Sequence, residues 1–234
     1  MIQFHGGLGS YLALCFGLIL SPALVQAQDF QGAFVSDNGF DHVVVHKHHV
    51  QASAVSASGN LCDVDGDYKS SGWVVASHEC QFKLIPLANG GFKIDLPNES
   101  ACDAFCGANV SISGEYKPVP PACDNQRFEH SLTVYRSQYH QQQYEAAYQT
   151  FSKTLSACKP FIDFLTHDKA ASELSLSLKQ LGRGQDCQRL LNQTRAHGQT
   201  EAALKEFYPP VMFDSYIGTA RTIWFNAKAC GDAL

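Results

Sequence analysis

Between Gln28 and Cys123 this chain has no arginine, and its five lysines stand against eleven acids. A stretch with a formal balance of −6 offers no basic surface for a nucleic-acid backbone or an anionic bilayer, which argues against both as partners. After residue 27 no segment reaches about eighteen uninterrupted apolar residues, so no membrane-spanning helix is expected. The G-x-S-x-G elbow, H-E-x-x-H and the phosphate-binding glycine loop are all missing. Ser156-Ala-Cys-Lys159 matches S-x-x-K, yet the companion motifs of the penicillin-recognising enzymes are absent and Cys158 within it reads as bridged. Neither catalysis nor a cofactor is expected from these motifs.

The amino-terminal segment also lacks something. Met1 to Ser10 carries no Lys or Arg, although Leu12 to Gln26 has the apolar core of an export signal and Val25-Gln26-Ala27 reads as a small-residue cleavage site. Gln28 stands where a lipoprotein would need cysteine. The expectation is cleavage after Ala27 and a product free in the periplasm, with secretion as the alternative. Of nine cysteines, Cys15 falls inside the signal and eight remain: Cys62, Cys80, Cys102, Cys106, Cys123, Cys158, Cys187 and Cys230. An even number in an oxidising compartment reads as a disulfide framework. Cys102 and Cys106 have three residues between them, not the two of redox pairs and zinc ribbons. Proximity in sequence suggests Cys62–Cys80 and Cys102–Cys106, with the last four paired among themselves.

Two regions differ in character. Residues 28–117 are rich in Gly, Ser and Val, and Phe92, Ile94 and Leu96 alternate with Lys93 and Asp95 as a half-buried strand does. Cys80, Phe82 and Leu84 continue that face, with a hairpin turn at Asn89-Gly90-Gly91. Phe40 to Val50, Trp73 to Ala76, and Val110 to Tyr116 supply further strands. Five to eight short antiparallel strands suggest a small barrel or sandwich. Pro118 to Cys123 reads as a stiff extended linker. Residues 124–234, with eleven acids and twelve bases, change to helical spacing: Phe128, Leu132 and Tyr135, then Tyr144, Ala147, Tyr148, Phe151 and Leu155, then Leu174, Leu178 and Leu181 up to Gly182. Pro209-Pro210 opens a last helix carrying Tyr216, Ala220, Ile223 and Ala227. The predicted class is α+β, a disulfide-stapled β module followed by helical hairpins.

Three clusters are candidates for chemistry. In Asp41 to His49, read as one strand, His42, His46 and His48 share a face. His42 and His48 would stand about 20 Å apart, so His46 and His48 are the pair able to share zinc or copper, completed by His78 or an acid. A solvated polar edge strand accounts for the same residues. Cys62-Asp63-Val-Asp65-Gly66-Asp67 departs from the calcium-loop order, because its glycine precedes the third acid, and reads as an acidic β-turn. Phe207 to Phe213, interrupted by Pro209-Pro210, reads as a helix-to-helix turn or a groove lining.

Tyr144-Glu-Ala-Ala-Tyr148 and Gln185-Asp-Cys-Gln-Arg-Leu-Leu191 lie 41 residues apart and resemble tetratricopeptide-type α-hairpins; an ordinary antiparallel bundle gives the same spacing. With Cys102-Asp-Ala-Phe-Cys106-Gly and Gly114-Glu-Tyr116, the whole is similar to uncharacterised two-module proteins of the proteobacterial periplasm. That resemblance implies a non-enzymatic binding protein. The first expectation is an inhibitor or immunity protein that neutralises a cell-wall-degrading, membrane-directed or other periplasm-acting toxin through the acids Asp63, Asp65, Asp67 and Glu115, the acidic half suiting a basic cell-wall hydrolase. An envelope scaffold or a metal binder using His46 and His48 are the alternatives.

Overall fold

The computed structural model describes residues 30–98 and 100–231; the expected export signal lies outside the described residues. Eight strands run in chain order: β1 (Gly32–Ser36), β2 (His42–His46), β3 (His49–Val55), β4 (Leu61–Tyr68), β5 (Trp73–Val75), β6 (Gln81–Pro86), β7 (Phe92–Asp95) and β8 (Gly114–Pro118). Each pairs antiparallel with the next, and β8 returns to β1 with Val35 opposite Lys117, so the sheet closes into a barrel. Alternation decides which side chains enter. Along β4 the residues Cys62, Val64, Gly66 and Tyr68 point in, while Leu61, Asp63, Asp65 and Asp67 point out. An eight-stranded ring has an interior just wide enough to be filled by side chains. Here Phe34, Val45, Val50, Phe82, Leu84 and Ile94 do so, with Phe92 at 4.7 Å from Phe34 and 5.7 Å from Tyr116, centroid to centroid. Tyr116 would be an unsatisfied phenol there, but it donates to Ile112 O at 2.8 Å.

Several expectations change. Phe40 to Val50 is two strands, because Lys47 adopts a φ of 56° and turns the chain back, leaving His46 opposite His49. The expected acidic turn at 62–67 is strand β4. Val110 to Ile112 lies outside β8. The disulfides are Cys62–Cys106, Cys80–Cys102, Cys123–Cys158 and Cys187–Cys230. The first two differ from pairing by proximity, because the β7–β8 connection runs past β4. Gly107 donates to Leu61 O and Asp63 to Phe105 O, which brings Cys106 to Cys62 and leaves Cys102 for Cys80.

The helices follow: α1 (Asn125–His140), α2 (Tyr144–Cys158), α3 (Phe164–Gln180), α4 (Gly184–Leu191), α5 (Glu201–Phe207) and α6 (Pro210–Gly231). Asp124 caps α1 through Arg127 N–H, and Asp163 caps α3 through Thr166 N–H, each at 2.9 Å. The α1–α2 and α3–α4 connections share one hydrogen-bond pattern. Gln142 and Gly182 take positive φ, and the next amides, Gln143 and Arg183, reach back to Gln138 O and Leu178 O. Pro118 to Cys123 is extended only to Pro120; Val119 donates to Ala33 O, Pro121–Cys123 is a 3-10 turn, and Cys123 is bridged to α2.

The barrel rests on the helices at two hairpin tips. Gly39, with φ of 79°, lies so close to the α2–α3 connection that a Cβ would sit 2.6 Å from Ile162 O, and Phe40 packs edge-on against Phe164 at 5.7 Å. Gly59 in the β3–β4 turn meets Val211 of α6. None of the described helices is long and apolar enough to cross a membrane.

Candidate functional site

Two surfaces collect polar chemistry. The first is the outward face of β2, β3 and β4. Its cross-strand register places His46, His49 and Asp67 in one row, Val44, Gln51 and Asp65 in the next, and His42, Ser53 and Asp63 in a third. Residues two apart on a strand are about 7 Å apart, so β4 displays three carboxylates as an evenly spaced line. His49 lies between two of them, Nε2 at 3.6 Å from Asp65 Oδ1 and Nδ1 at 3.9 Å from Asp67 Oδ1. Asp67 also meets Lys69 Nζ at 3.5 Å. Val44 and Leu61, both exposed, add apolar area to this face. The histidine cluster and the acidic run, separate in sequence, thus form one surface because a hairpin folds the first against the second.

Glu115 does not join them. It lies on β8, four strands from β4 in either direction around the ring, opposite Lys93. His48 occupies the β2–β3 turn, where its carbonyl accepts from Tyr68 N–H at 2.7 Å, and His49 is the residue that faces His46. Among the described residues, no group of three His, Cys, Asp or Glu side chains is placed to hold a metal ion.

The second surface has a buried carboxylate at its base. Asp168 on α3 is 1% exposed, and its oxygens accept from Tyr216 Oη at 2.5 Å, Arg195 N–H at 2.7 Å and His167 Nδ1 at 2.9 Å. Beside it Asn226 Nδ2 donates to Ser172 O and Oγ at 3.1 Å, and Trp224 Nε1 donates to Ala196 O at 2.8 Å. A buried charge is tolerated only when hydrogen-bonded, and Asp168 has a donor from α3, one from the segment after α4 and one from α6. Burial, with the neighbouring Asp168 adding to it, pushes the Tyr216 phenol far above its ordinary ionisation range. Around this network His167, Lys159, Gln193 and Arg195 line a cavity of about 390 Å³ whose other wall is the β1–β2 turn at Asp37 to Phe40. Asp37 is ion-paired to Lys117 Nζ at 2.7 Å, and that hydrogen bond first, then the lysine's charge, holds its carboxyl below the usual range.

Reading the sequence for motifs passes over Asp168. Its signal is a break in the apolar pattern: Asp168, Ser172 and Ser175 occupy buried positions at helical spacing, forty residues after Phe128, Leu132 and Tyr135. Comparison with protein-family models, curated proteins and solved structures gave no match.

Proposed function

We propose that this protein is a non-enzymatic binder of an oxidising compartment that engages a basic protein partner through the outward face of β2–β4. The supporting observation is the line of Asp63, Asp65 and Asp67 beside exposed Val44 and Leu61, a charged row with an apolar border. Such a face complements a cationic surface and steers it on approach. A barrel filled by its own side chains leaves the outside of the sheet as its recognition surface. Four disulfides fit an extracellular or periplasmic setting and hold the surface rigid, which lowers the ordering cost of association. The helical part, with the same turn recurring at Gln142 and Gly182, is read as two tetratricopeptide-like hairpins followed by a third helical pair. The partner class that fits best is a basic peptidoglycan hydrolase or toxin, which makes the protein an inhibitor or immunity protein of the periplasm.

The test is surface plasmon resonance of the disulfide-bonded protein against a strongly basic lysozyme and against periplasmic hydrolases, at low and high salt. Exposed charge pairs contribute about 0.2–1 kcal/mol each, so Asp63→Asn, Asp65→Asn and Asp67→Asn together should weaken binding by roughly three- to 150-fold. Glu115→Gln, on the far side of the barrel, should leave it unchanged. Absence of any basic hydrolase among the partners at low salt overturns the reading, as does equal loss in the Glu115 variant.

A further inference from the structure

Where the barrel meets the helices lies a cleft of opposite charge, on a different surface from the acidic barrel face. His167 is 6% exposed, and its Nδ1 is engaged by Asp168, which as a carboxylate can only accept. Nε2 has no hydrogen-bond partner among the described residues. It is not sealed in either: among the described residues the buried side-chain polar atom without a partner is Gln138 Oε1, on α1. His167, Lys159 and Gln193 line both the 390 Å³ cavity and an adjoining one of about 200 Å³. Arg195 lines the 390 Å³ cavity and, on its other side, one of about 740 Å³ walled by Leu204, Phe207 and Tyr208. Shared walls make these a run of three.

The cations of this run are unneutralised. Arg127, Arg136, Arg183, Arg189 and Arg221 each bridge a carboxylate, whereas Arg195 stacks its guanidinium over Phe164 at 4.3 Å and has no carboxylate within 4.0 Å among the described residues. Among the described residues Lys159 Nζ bonds only the neutral Gln193 Oε1, at 3.2 Å. Asp168 holds both the His167 ring and the Arg195 backbone, so one buried side chain fixes two walls. Asp37 on the opposite wall has its charge satisfied by Lys117.

We propose that this cleft binds an acidic peptide, with a carboxylate seated among Lys159, His167 and Arg195 and a neighbouring apolar side chain against Leu204, Phe207 and Tyr208. A free inorganic anion would use the middle cavity alone, whereas the run continues past Arg195 to an aromatic wall in which Phe207 is 73% exposed. Glu206 on that third cavity disfavours a second acid there, which gives the peptide a direction: acid first, apolar residue beyond Arg195. The planar Arg195 guanidinium and the Lys159 ammonium suit a carboxylate, and His167 Nε2 donates to it in the protonated ring, since Nδ1–H is held by Asp168.

Fluorescence anisotropy tests this with the disulfide-bonded protein and a fluorescein-labelled hexapeptide holding two adjacent glutamates followed by phenylalanine. The peptide should bind saturably and more weakly as salt rises, and its glutamine counterpart should bind at least about tenfold more weakly. Arg195→Gln and His167→Gln should each cost about tenfold, while the triple β4 variant binds as the parent does. Lys159→Gln, which removes a single hydrogen bond at an exposed position, keeps the test decisive if either of the other variants fails to fold. Absence of binding, equal binding of the glutamine peptide, or parental binding by Lys159→Gln overturns the proposal. Full displacement by inorganic phosphate at the affinity of the peptide also overturns it, in favour of a free anion site.

Discussion

Replacing Asp168 with alanine probes a buried carboxylate on which three separate segments converge. The substitution removes an acceptor from Tyr216 Oη, Arg195 N–H and His167 Nδ1 at once. Hydrogen bonds to a charged group are worth about 1.5–3 kcal/mol each. Against that stands the relief of removing a charge from the interior, which offsets part of the loss. Each donor left without a partner costs a further 1–3 kcal/mol or so where water cannot reach it. The net destabilisation should be about 3–5 kcal/mol, the range found when one partner of a buried charged network is removed. Tyr216→Phe removes one donor together with its need for an acceptor and should cost about 1–2 kcal/mol. In the Asp168→Ala background the same change should cost nearly nothing, giving a coupling of about 1–2 kcal/mol. The assay is urea unfolding with disulfides intact, followed by Trp224 fluorescence in a Trp73→Phe background. Trp224 bonds Ala196 O, one residue beyond Arg195, and so reports on this network, whereas Trp73 belongs to β5 of the barrel. A cost below about 1 kcal/mol for Asp168→Ala, or an equal cost of Tyr216→Phe in both backgrounds, would refute the account.

At the barrel–helix joint, Gly39→Ala should destabilise by about 2–3 kcal/mol, because a β-carbon meets backbone of Ile162 and Asp163 at 2.6 Å and the φ of 79° is already unfavourable. Gly59→Ala, whose nearest neighbour is the Val211 side chain at 2.9 Å, should cost about 1 kcal/mol, and equal thermal shifts for the two would count against this reading. Alkaline stability carries a third prediction. Burial raises the Tyr135 phenol from its ordinary 10.0 to about 12, so the fold holds that proton more tightly than the unfolded chain does. The contribution is complete below pH 10.0 and is lost as pH climbs toward about 12, with a slope near 1.4 kcal/mol per pH unit for a single phenol. Tyr135→Phe should flatten the fall of stability measured by urea titration across that window; an unchanged slope would show that Tyr116 and Tyr216, also raised by burial, carry it instead.

Much of the fold was legible because burial follows period. Phe92 and Ile94 alternate with charged neighbours and enter the barrel; Phe128, Leu132 and Tyr135 recur at helical spacing and enter the helical core. Local sequence was silent where partners come from far away. Whether Asp63 to Asp67 form a turn or a strand depends on β3 lying beside them, and β3 exists as a separate strand only because Lys47 reverses the chain. Cys106 finds Cys62 across 44 residues, a choice made by the path of the β7–β8 connection and invisible in spacing. Glu115 resembles the β4 acids in composition, yet ring closure sends it to the opposite side. The Asp168 cluster was hidden for another reason: it replaces apolar residues at core positions, and only the helical register reveals that a carboxylate is pointing inward.

The two charged surfaces are joined through one piece of chain. β2 carries His42 and His46 on the acidic face, and the turn that leads into it carries Asn38 and Phe40 on the wall of the cationic cleft. That turn can reach the helices only because Gly39 has no side chain; the Phe40–Phe164 contact braces it there, and the Asp37–Lys117 pair ties it to β8 on the barrel side. Phe164 in turn carries the Arg195 guanidinium on its ring. Loosening the joint therefore opens one wall of the cleft and frees the aromatic platform beneath Arg195, while the register of β2 with β3, which builds the acidic face, is held by strand pairing and is untouched. The cleft depends on how barrel and helices dock, and the acidic face depends on the barrel alone. A ligand that binds only the docked arrangement would by linkage stabilise that joint by RT ln(1 + L/Kd), where L is the free ligand concentration.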